Sequence, residues 1–330
     1  MAKIVLGFGS SHGPTMRTQP AEWDKLAERD KKDPRYDYAE IARGAPANIA
    51  DEIRPEKKQE RFDATQVAIG KLNDVVKGAK PDVVIVISNQ HSVLVDDQLP
   101  VMSIYRGESL SDRVAEKPRE FDERTAKMSG IPVPELFSRK KHEPRTYPAY
   151  QPLADHLIDS LVDQGFDVAT WNALRPEHGV DEAFTSFYDF YNETCTIPMV
   201  PLMLNRYLPS QIKPARAYAL GGALRRAIEA WDSDKRVALM ASGGLSHQVL
   251  DESLDHIVID ALLENDADTL GSLDRHRLNR GPGTPETLNW ITVAGAMDAG
   301  IQIIDYIPCY RSLAGTGHGL TFGYWDGASA

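Results

Sequence analysis

Short apolar runs alternate with stretches of helical periodicity along most of the chain. This alternation predicts an α/β fold, with a layered αβα core around a mostly parallel or mixed sheet. The predicted strands are Ile4–Gly9, Asp82–Ser88, Val101–Tyr105, Asp167–Asn172, Met199–Leu204 and Arg236–Ala241, followed by a late pair at Gln302–Pro308 and Gly319–Tyr324. The predicted helices are Gln59–Lys77, Tyr150–Gln164, Pro209–Trp231, Glu252–Glu264 and Pro285–Ala299.

Two charged segments interrupt the alternation. Met16–Lys58 holds several prolines, and Arg106–Arg145 is rich in loop residues. Long insertions of this kind often cover or line a functional site. We therefore expect residues 1–330 to form a single catalytic domain, with insertions at about 16–58 and 106–145.

Four of the nine histidines follow the ends of predicted strands. His12 lies in GSSHGP, His91 in SNQHS, His178 in PEHG and His247 in SGGLSH. The carboxyl ends of the strands of an open α/β sheet point into one crevice, so the four rings are expected to converge there. Neutral imidazoles suit a transition metal. For any single one of these histidines, however, a loop or capping role is the more common explanation.

Glu286 is the candidate carboxylate for such a site. Thr284 and Pro285 have the pattern of an N-cap and a first-turn proline, which places Glu286 in the first helical turn after a glycine-rich loop. A carboxylate in this position is also favoured by the helix dipole without any metal. Trp290 and its apolar neighbours fit the buried face of the same helix.

Composition narrows the classes of partner. The net charge is −11 and no concentrated run of Lys or Arg is present, which argues against a nucleic acid and against an acidic membrane surface. The start, MAKIVLGFGSSHG, fits a first strand better than a signal peptide. The two cysteines, Cys195 and Cys309, are too few for a disulfide framework or a thiolate zinc cluster. The cytoplasm is the expected location.

Several motifs, in order along the chain, resemble one family. SSHGP, PDVVIVISNQH, PEHG, ASGGLSHQ and PETLNW are similar to segments of the class III extradiol dioxygenases, in particular the protocatechuate 4,5-dioxygenase β-subunit and its gallate and 3-O-methylgallate relatives. GGLSHQ and the strand with NQH are the most specific motifs. IPCYRS and GTGHGLTFGYW resemble, more loosely, a segment that reaches the substrate pocket.

The resemblance implies a role for each matched residue. The implied ligands of iron(II) are His12, His91 and Glu286, the implied catalytic residues are the acid/base His247 and a second histidine, His178, and the weaker candidates for substrate contact are Thr316 and His318. Two imidazoles and one carboxylate leave adjacent positions for a catechol and O₂. The implied reaction is oxygen-dependent ring cleavage of a catecholic acid such as protocatechuate, gallate, 3-O-methylgallate or a larger lignin-derived compound.

Two other functions remain open from the residues alone. A zinc-dependent hydrolase could use the same ligands, and a metal-free interaction protein could be built on the same scaffold. The family resemblance favours a homo-oligomer, at least a dimer. The longer insertions leave open whether a separate small α-subunit covers the site, as it does in the protocatechuate enzyme.

Overall fold

The computed structural model describes residues 1–89, 99–112, 144–174, 179–180 and 182–327. Its strands are β1 Lys3–Ser10, β2 Val83–Asn89, β3 Met102–Tyr105, β4 Ser109–Ser111, β5 Thr146–Pro148, β6 Ala169–Trp171, β7 Met199–Leu204, β8 Arg236–Ser242, β9 His247–Val249, β10 Gln302–Tyr310 and β11 Thr316–Asp326. Its helices are α1 Trp23–Asp30, α2 Tyr38–Arg43, α3 Ile49–Glu52, α4 Pro55–Ala79, α5 Gln151–Asp163, α6 Glu182–Phe190, α7 Pro214–Ala230, α8 Glu252–Glu264, α9 Ala267–Gly271, α10 Arg275–Leu278 and α11 Thr287–Met297.

One mixed sheet organises the molecule, with the strand order β10-β11-β1-β8-β2-β7-β3-β6 and with β9 paired to β11. The four central strands β1, β8, β2 and β7 are parallel to one another, whereas β3 runs antiparallel to β7, and β11 runs antiparallel to β1, β10 and β9. Since the central strands run in one direction, their carboxyl ends share one edge of the sheet. The antiparallel strands add a second wall beside that edge.

Alternating side chains of the central strands enter two separate apolar clusters. In β2, Val83, Ile85 and Ile87 pack on one face, and Val84 and Val86 pack on the other. Helices α5, α7, α8 and α11 cover the first face, while α4 and α6 cover the second. Burying each large apolar side chain contributes about 1.5–3 kcal/mol, so both faces of the sheet must be covered. The result is the layered αβα core that the pattern predicts.

All eight predicted strands are confirmed, including the late pair that becomes β10 and β11. Four of the five predicted helices are confirmed with small shifts. The exception is the start of the helix predicted at Pro209, which is wrong: α7 begins at Pro214. A proline is well suited to the first turn of a helix, and both Pro209 and Pro214 offered that signal.

The predicted insertion at about 16–58 contains three short helices that the periodicity did not indicate. In α1, the buried residues are Trp23, Ala27 and Asp30, an i, i+4, i+7 face that includes a carboxylate. Most of the second predicted insertion, 106–145, lies outside the described residues; β4 and β5 pair near its two ends. The organisation as a single domain with two insertions stays a prediction.

Within the described ranges, no helix combines the length and the apolar content that crossing a bilayer requires.

Candidate functional site

Three of the predicted site residues meet at the carboxyl edge of the central strands. His12 follows β1, and His247 begins β9 shortly after the end of β8. Glu286 ends a 3₁₀ turn, Thr284–Glu286, that leads directly into α11. The predicted N-cap role of Thr284 is wrong, because its hydroxyl accepts a hydrogen bond from the His247 amide, 3.3 Å away, and caps no helix. His91 and His178 lie outside the described residues.

Glu286 is the centre of this cluster and is completely buried. Its Oε2 lies 3.6 Å from His12 Nε2 and 3.3 Å from His247 Nε2, and it accepts a hydrogen bond from the Gly244 amide at 3.2 Å. Gly243, with a φ of +93°, lets the backbone pass against this carboxylate, and a Cβ there would overlap Oε2. Gly243 is therefore required by the position of Glu286.

The orientation of the His12 ring follows from its hydroxyl neighbour. His12 Nδ1 lies 3.0 Å from Ser242 Oγ, and Ser242 donates its only hydroxyl proton to the Ala183 carbonyl at 2.6 Å. Ser242 must therefore accept from His12 Nδ1–H. In a neutral ring this leaves the lone pair on Nε2, the atom that faces Glu286. Metal-binding histidines are commonly oriented in this way through their second nitrogen.

His247 has the same tautomer for a different reason. Its Nδ1 lies 3.1 Å from the Leu245 carbonyl oxygen, which can only accept, so Nδ1 carries the proton. The Nε2 lone pair then faces Glu286 Oε2. Two nitrogen lone pairs and a carboxylate directed at one another in a buried place repel unless a cation, either a proton or a metal ion, lies among them.

The chemistry of this donor set fits a divalent transition metal. Two ligand atoms that each lie about 2.1 Å from one ion are at most about 4.2 Å apart, and the separation of His12 Nε2 from Glu286 Oε2 satisfies that limit. In the part of the chain that the structure describes, no group of three or more His, Cys, Asp or Glu forms a complete metal site. The remaining predicted ligand, His91, is outside that part.

His318 and Thr316 lie on β11, beside this cluster. The β9–β11 register pairs His318 with His247, and their ring centroids are 5.6 Å apart. Burial, together with the positive charge of Arg311, lowers the pKa of His318 well below its usual value. Thr316 is completely buried and donates its hydroxyl proton to Asp30 Oδ2 at 2.5 Å. Direct contact of this hydroxyl with a substrate would require it to leave Asp30.

The sequence reasoning did not identify three charged residues at the site. Asp30 forms a buried two-pronged ion pair with Arg311 at 2.6 and 2.7 Å. Arg206, in the loop after β7, places Nη1 3.7 Å from Glu286 Oε1. The signal for Asp30 was its place on the apolar face of α1. Arg311 stood in the IPCYRS motif, and Arg206 follows a predicted strand, as the candidate histidines do.

Comparison with known proteins gives the same picture as the motifs. The family model described as the catalytic LigB subunit of aromatic ring-opening dioxygenase matches residues 45–320. Gallate dioxygenase of Pseudomonas putida is 31% identical over 160 residues, which cover 46% of this chain and 46% of that protein.

Two further relatives are named 2,3-dihydroxyphenylpropionate/2,3-dihydroxicinnamic acid 1,2-dioxygenase. The protein of Rhodococcus globerulus is 30% identical over 95 residues, 29% of each chain, and that of Comamonas testosteroni is 31% identical over 105 residues, 32% of each chain. The matched segments thus span less than half the length of these relatives. Because the family model extends over most of the sequence, the chain belongs to the family of the catalytic LigB subunit of aromatic ring-opening dioxygenases.

Proposed function

We propose that the chain is an extradiol dioxygenase that cleaves the ring of a catecholic aromatic acid with O₂ at a non-haem iron(II). The observation that carries the proposal is the convergence of His12 Nε2 and His247 Nε2 on the buried Glu286 carboxylate, at 3.6 and 3.3 Å. Membership of the LigB family supports this chemistry for the cluster. His12, His91 and Glu286 would hold the iron.

Iron(II), when bound, would supply adjacent positions for a chelating catechol and for O₂, and would let electron density pass from the ring to the oxygen. Glu286 contributes one negative charge to the ligand set, which leaves a net positive centre that favours a deprotonated catechol. Among the described residues of this centre, Glu286 and His12 are buried, which limits the access of bulk water to their side chains.

His247 is the proposed acid/base residue. Its Nδ1–H is held by the Leu245 carbonyl, so Nε2 is the atom that can take a proton from a substrate hydroxyl and later return it. His178 is the proposed second histidine near the substrate. Thr316 and His318 are the proposed substrate contacts, although the hydroxyl of Thr316 is directed at Asp30.

The environment of Arg206 favours a substrate that carries a carboxylate. Its side chain is only 11% exposed, and its Nε is buried with no acceptor among the described residues. A buried guanidinium donor without an acceptor is costly, and a carboxylate is its best-matched partner. The relatives are named for gallate and for dihydroxyphenylpropionate, both aromatic acids with adjacent hydroxyls. Protocatechuate, gallate, 3-O-methylgallate and larger lignin-derived catechols are the proposed candidates.

The test is anaerobic purification followed by metal analysis and an oxygen-electrode screen over these catechols, with benzoate as a substrate that lacks the two hydroxyls. We expect one iron per chain, and oxygen uptake with a ring-opened product for at least one catechol and none for benzoate. Zinc in place of iron, together with hydrolysis of an ester or amide, would support the hydrolase instead. Protein that binds no metal and consumes no oxygen would contradict the proposal.

The same preparation tests the proposed assembly. We propose a homodimer, and light scattering of the purified chain reports its mass directly. Turnover by the chain alone would show that no separate α-subunit is needed, whereas activity that appears only with an added small subunit would show the opposite. A cytoplasmic location and a role in lignin-derived carbon use are part of this proposal.

A further inference from the structure

The His318 ring is held by two donors at the same nitrogen. Thr15 Oγ1 lies 3.0 Å and Arg311 Nη1 lies 3.3 Å from His318 Nδ1. A guanidinium donates hydrogen bonds and never accepts one, so Nδ1 must be the acceptor. The proton of the neutral ring is therefore on Nε2. A protonated ring would direct a second N–H at the guanidinium, which this geometry disfavours.

Arg311 cannot easily turn away from the ring, because its other nitrogens are fixed. Nε and Nη2 donate to the two oxygens of Asp30 at 2.6 and 2.7 Å. Thr316 donates to the same carboxylate and lies 2.6 Å from the Ser312 hydroxyl. All of these side chains are buried, where charge-assisted hydrogen bonds of this geometry are strong.

The Cδ2–Nε2 edge of His318 faces the chain segment that carries His12. A Cβ placed on Gly13, the residue after His12, would lie 2.7 Å from His318 Cδ2 and 2.9 Å from Nε2. The antiparallel register sets His318 beside His247. The Nε2 atoms of the two neighbouring rings thus differ in protonation. Nε2 of His247 carries a lone pair, and Nε2 of His318 carries a proton. No described residue accepts a hydrogen bond from His318 Nε2, so the structure leaves this donor for a ligand.

We propose that His318 is a fixed hydrogen-bond donor to an anionic oxygen of the bound substrate, with Arg311 and Asp30 as the positioning residues that keep its proton on Nε2. The inference rests on the proposed function for the identity of that substrate, a catecholate. His247 then accepts the proton of one substrate oxygen, while His318 stabilises negative charge on an oxygen without taking part in proton transfer. Asp30, which acts through Arg311 and His318, gives the first predicted insertion a role in catalysis.

The tautomer can be measured without turnover. Long-range ¹H–¹⁵N correlation spectra of the full chain, loaded with diamagnetic zinc and labelled at histidine nitrogens, distinguish a protonated Nε2 from a protonated Nδ1. The His318 signals are assigned by their loss in His318→Gln. We expect protonation at Nε2 alone in the wild type and a mixture of both tautomers in Arg311→Met, with partial recovery in Arg311→Lys. A proton on Nδ1 in the wild type would overturn the proposal.

Kinetics test the donation itself. The amide of glutamine can place an N–H near the position of Nε2, whereas the shorter asparagine reaches only the position of Nδ1. A hydrogen bond to a charged group corresponds to a loss of about 10- to 100-fold in kcat/KM for His318→Asn, and His318→Gln should recover much of that loss. The exposed His276→Asn is the matched control and should behave as the wild type.

Equal kcat/KM values for His318→Asn, His318→Gln and the wild type would overturn the proposal while leaving the dioxygenase assignment intact. A wild-type protein without oxygen uptake, alone and with an added small subunit, would instead refute the proposed function, and the nitrogen spectra would still decide the tautomer. In that case, a shift of the His318 Nε2–H resonance on adding protocatechuate would support the proposed hydrogen bond, and the absence of a shift would overturn it. If His318→Gln fails to fold, the His318 signals are assigned in the wild type through their proximity to the His247 ring and to Thr15, and the wild-type spectrum remains decisive for the tautomer.

Discussion

At the carboxyl ends of the parallel strands, the His12 ring is backed by the Ser242 hydroxyl, and the lone pair on Nε2 faces Glu286. On the antiparallel strand β11, the His318 ring is backed by the Arg311–Asp30 ion pair, and its Nε2 carries a proton. We call these two regions the parallel-strand flank (His12, Ser242 and Glu286) and the edge flank (His318, Arg311 and Asp30).

The comparison shows that the group behind an imidazole decides what the front of the ring can do. An acceptor at Nδ1 leaves a nitrogen that binds a metal or takes a proton, and a donor at Nδ1 leaves a nitrogen that only gives a hydrogen bond. His247 belongs with the parallel-strand flank in this respect, because the Leu245 carbonyl stands behind it. The two flanks can be separated experimentally.

The largest effect is expected from removing the carboxylate of the parallel-strand flank. Glu286→Ala should lose its bound iron and all measurable turnover, because the proposed ligands His12 and His91 would be left without the negatively charged third ligand. Iron content and oxygen uptake are the measurements. Glu229→Ala, on the exposed side of α7, is the control and should keep both. Full iron occupancy in Glu286→Ala would contradict the ligand assignment.

The next largest effect is expected from His247→Phe. This variant shows whether His247 is a metal ligand or an acid/base residue. The distance of 3.3 Å from Glu286 Oε2 would suit either role. As an acid/base residue, His247 should be replaceable with retention of iron and a fall in kcat of about 10²- to 10⁴-fold. Loss of iron would move His247 into the ligand set, and a near-native kcat with iron retained would remove it from the mechanism.

Substitution in the edge flank is expected to lower the stability of the fold. Asp30→Ala leaves the Arg311 guanidinium buried without its partner, and breaking a buried ion pair in this way costs about 3–5 kcal/mol of the free energy of unfolding. Urea denaturation followed by circular dichroism gives the value. Glu28→Ala on the same helix breaks the exposed pair with Lys31 and should cost no more than about 1 kcal/mol. Equal costs for the two changes would show that the edge flank is not held by its ion pair.

Most of the sheet could be predicted because its strands are continuous apolar runs, as buried parallel strands require. The short helices α1, α2 and α3 could not, because a charged segment with several prolines lacks a broad apolar face. Helix α6 spans only nine residues, and so short an apolar run is difficult to distinguish from a strand by its period.

The meeting of His12 and His247 could be expected from strand ends, and Glu286 was the candidate carboxylate because it begins a helix after a glycine-rich loop. The tautomers could not be predicted, because they depend on Ser242, Leu245 and Arg311, whose contacts are set by the packing of distant segments. Asp30 and Arg311 are separated by 281 positions in the sequence. Nothing local in either segment indicates that they form a pair.

The smallest change tests the parallel-strand flank at its hydroxyl. Ser242→Ala removes the acceptor of His12 Nδ1–H while leaving the ring in place, so the fold should persist and the ring should lose its fixed orientation. Loss of such a supporting hydrogen bond lowers metal affinity by about 10- to 100-fold. Competition with a chelator measures this affinity. Ser186→Ala is the matched control, since Ser186 touches the Ser242 hydroxyl at 3.2 Å and lies one contact further from the ring. If both variants hold iron equally well, then the orientation of His12 comes from the metal itself. The two flanks would then differ only in the Arg311–Asp30 ion pair that lies behind His318.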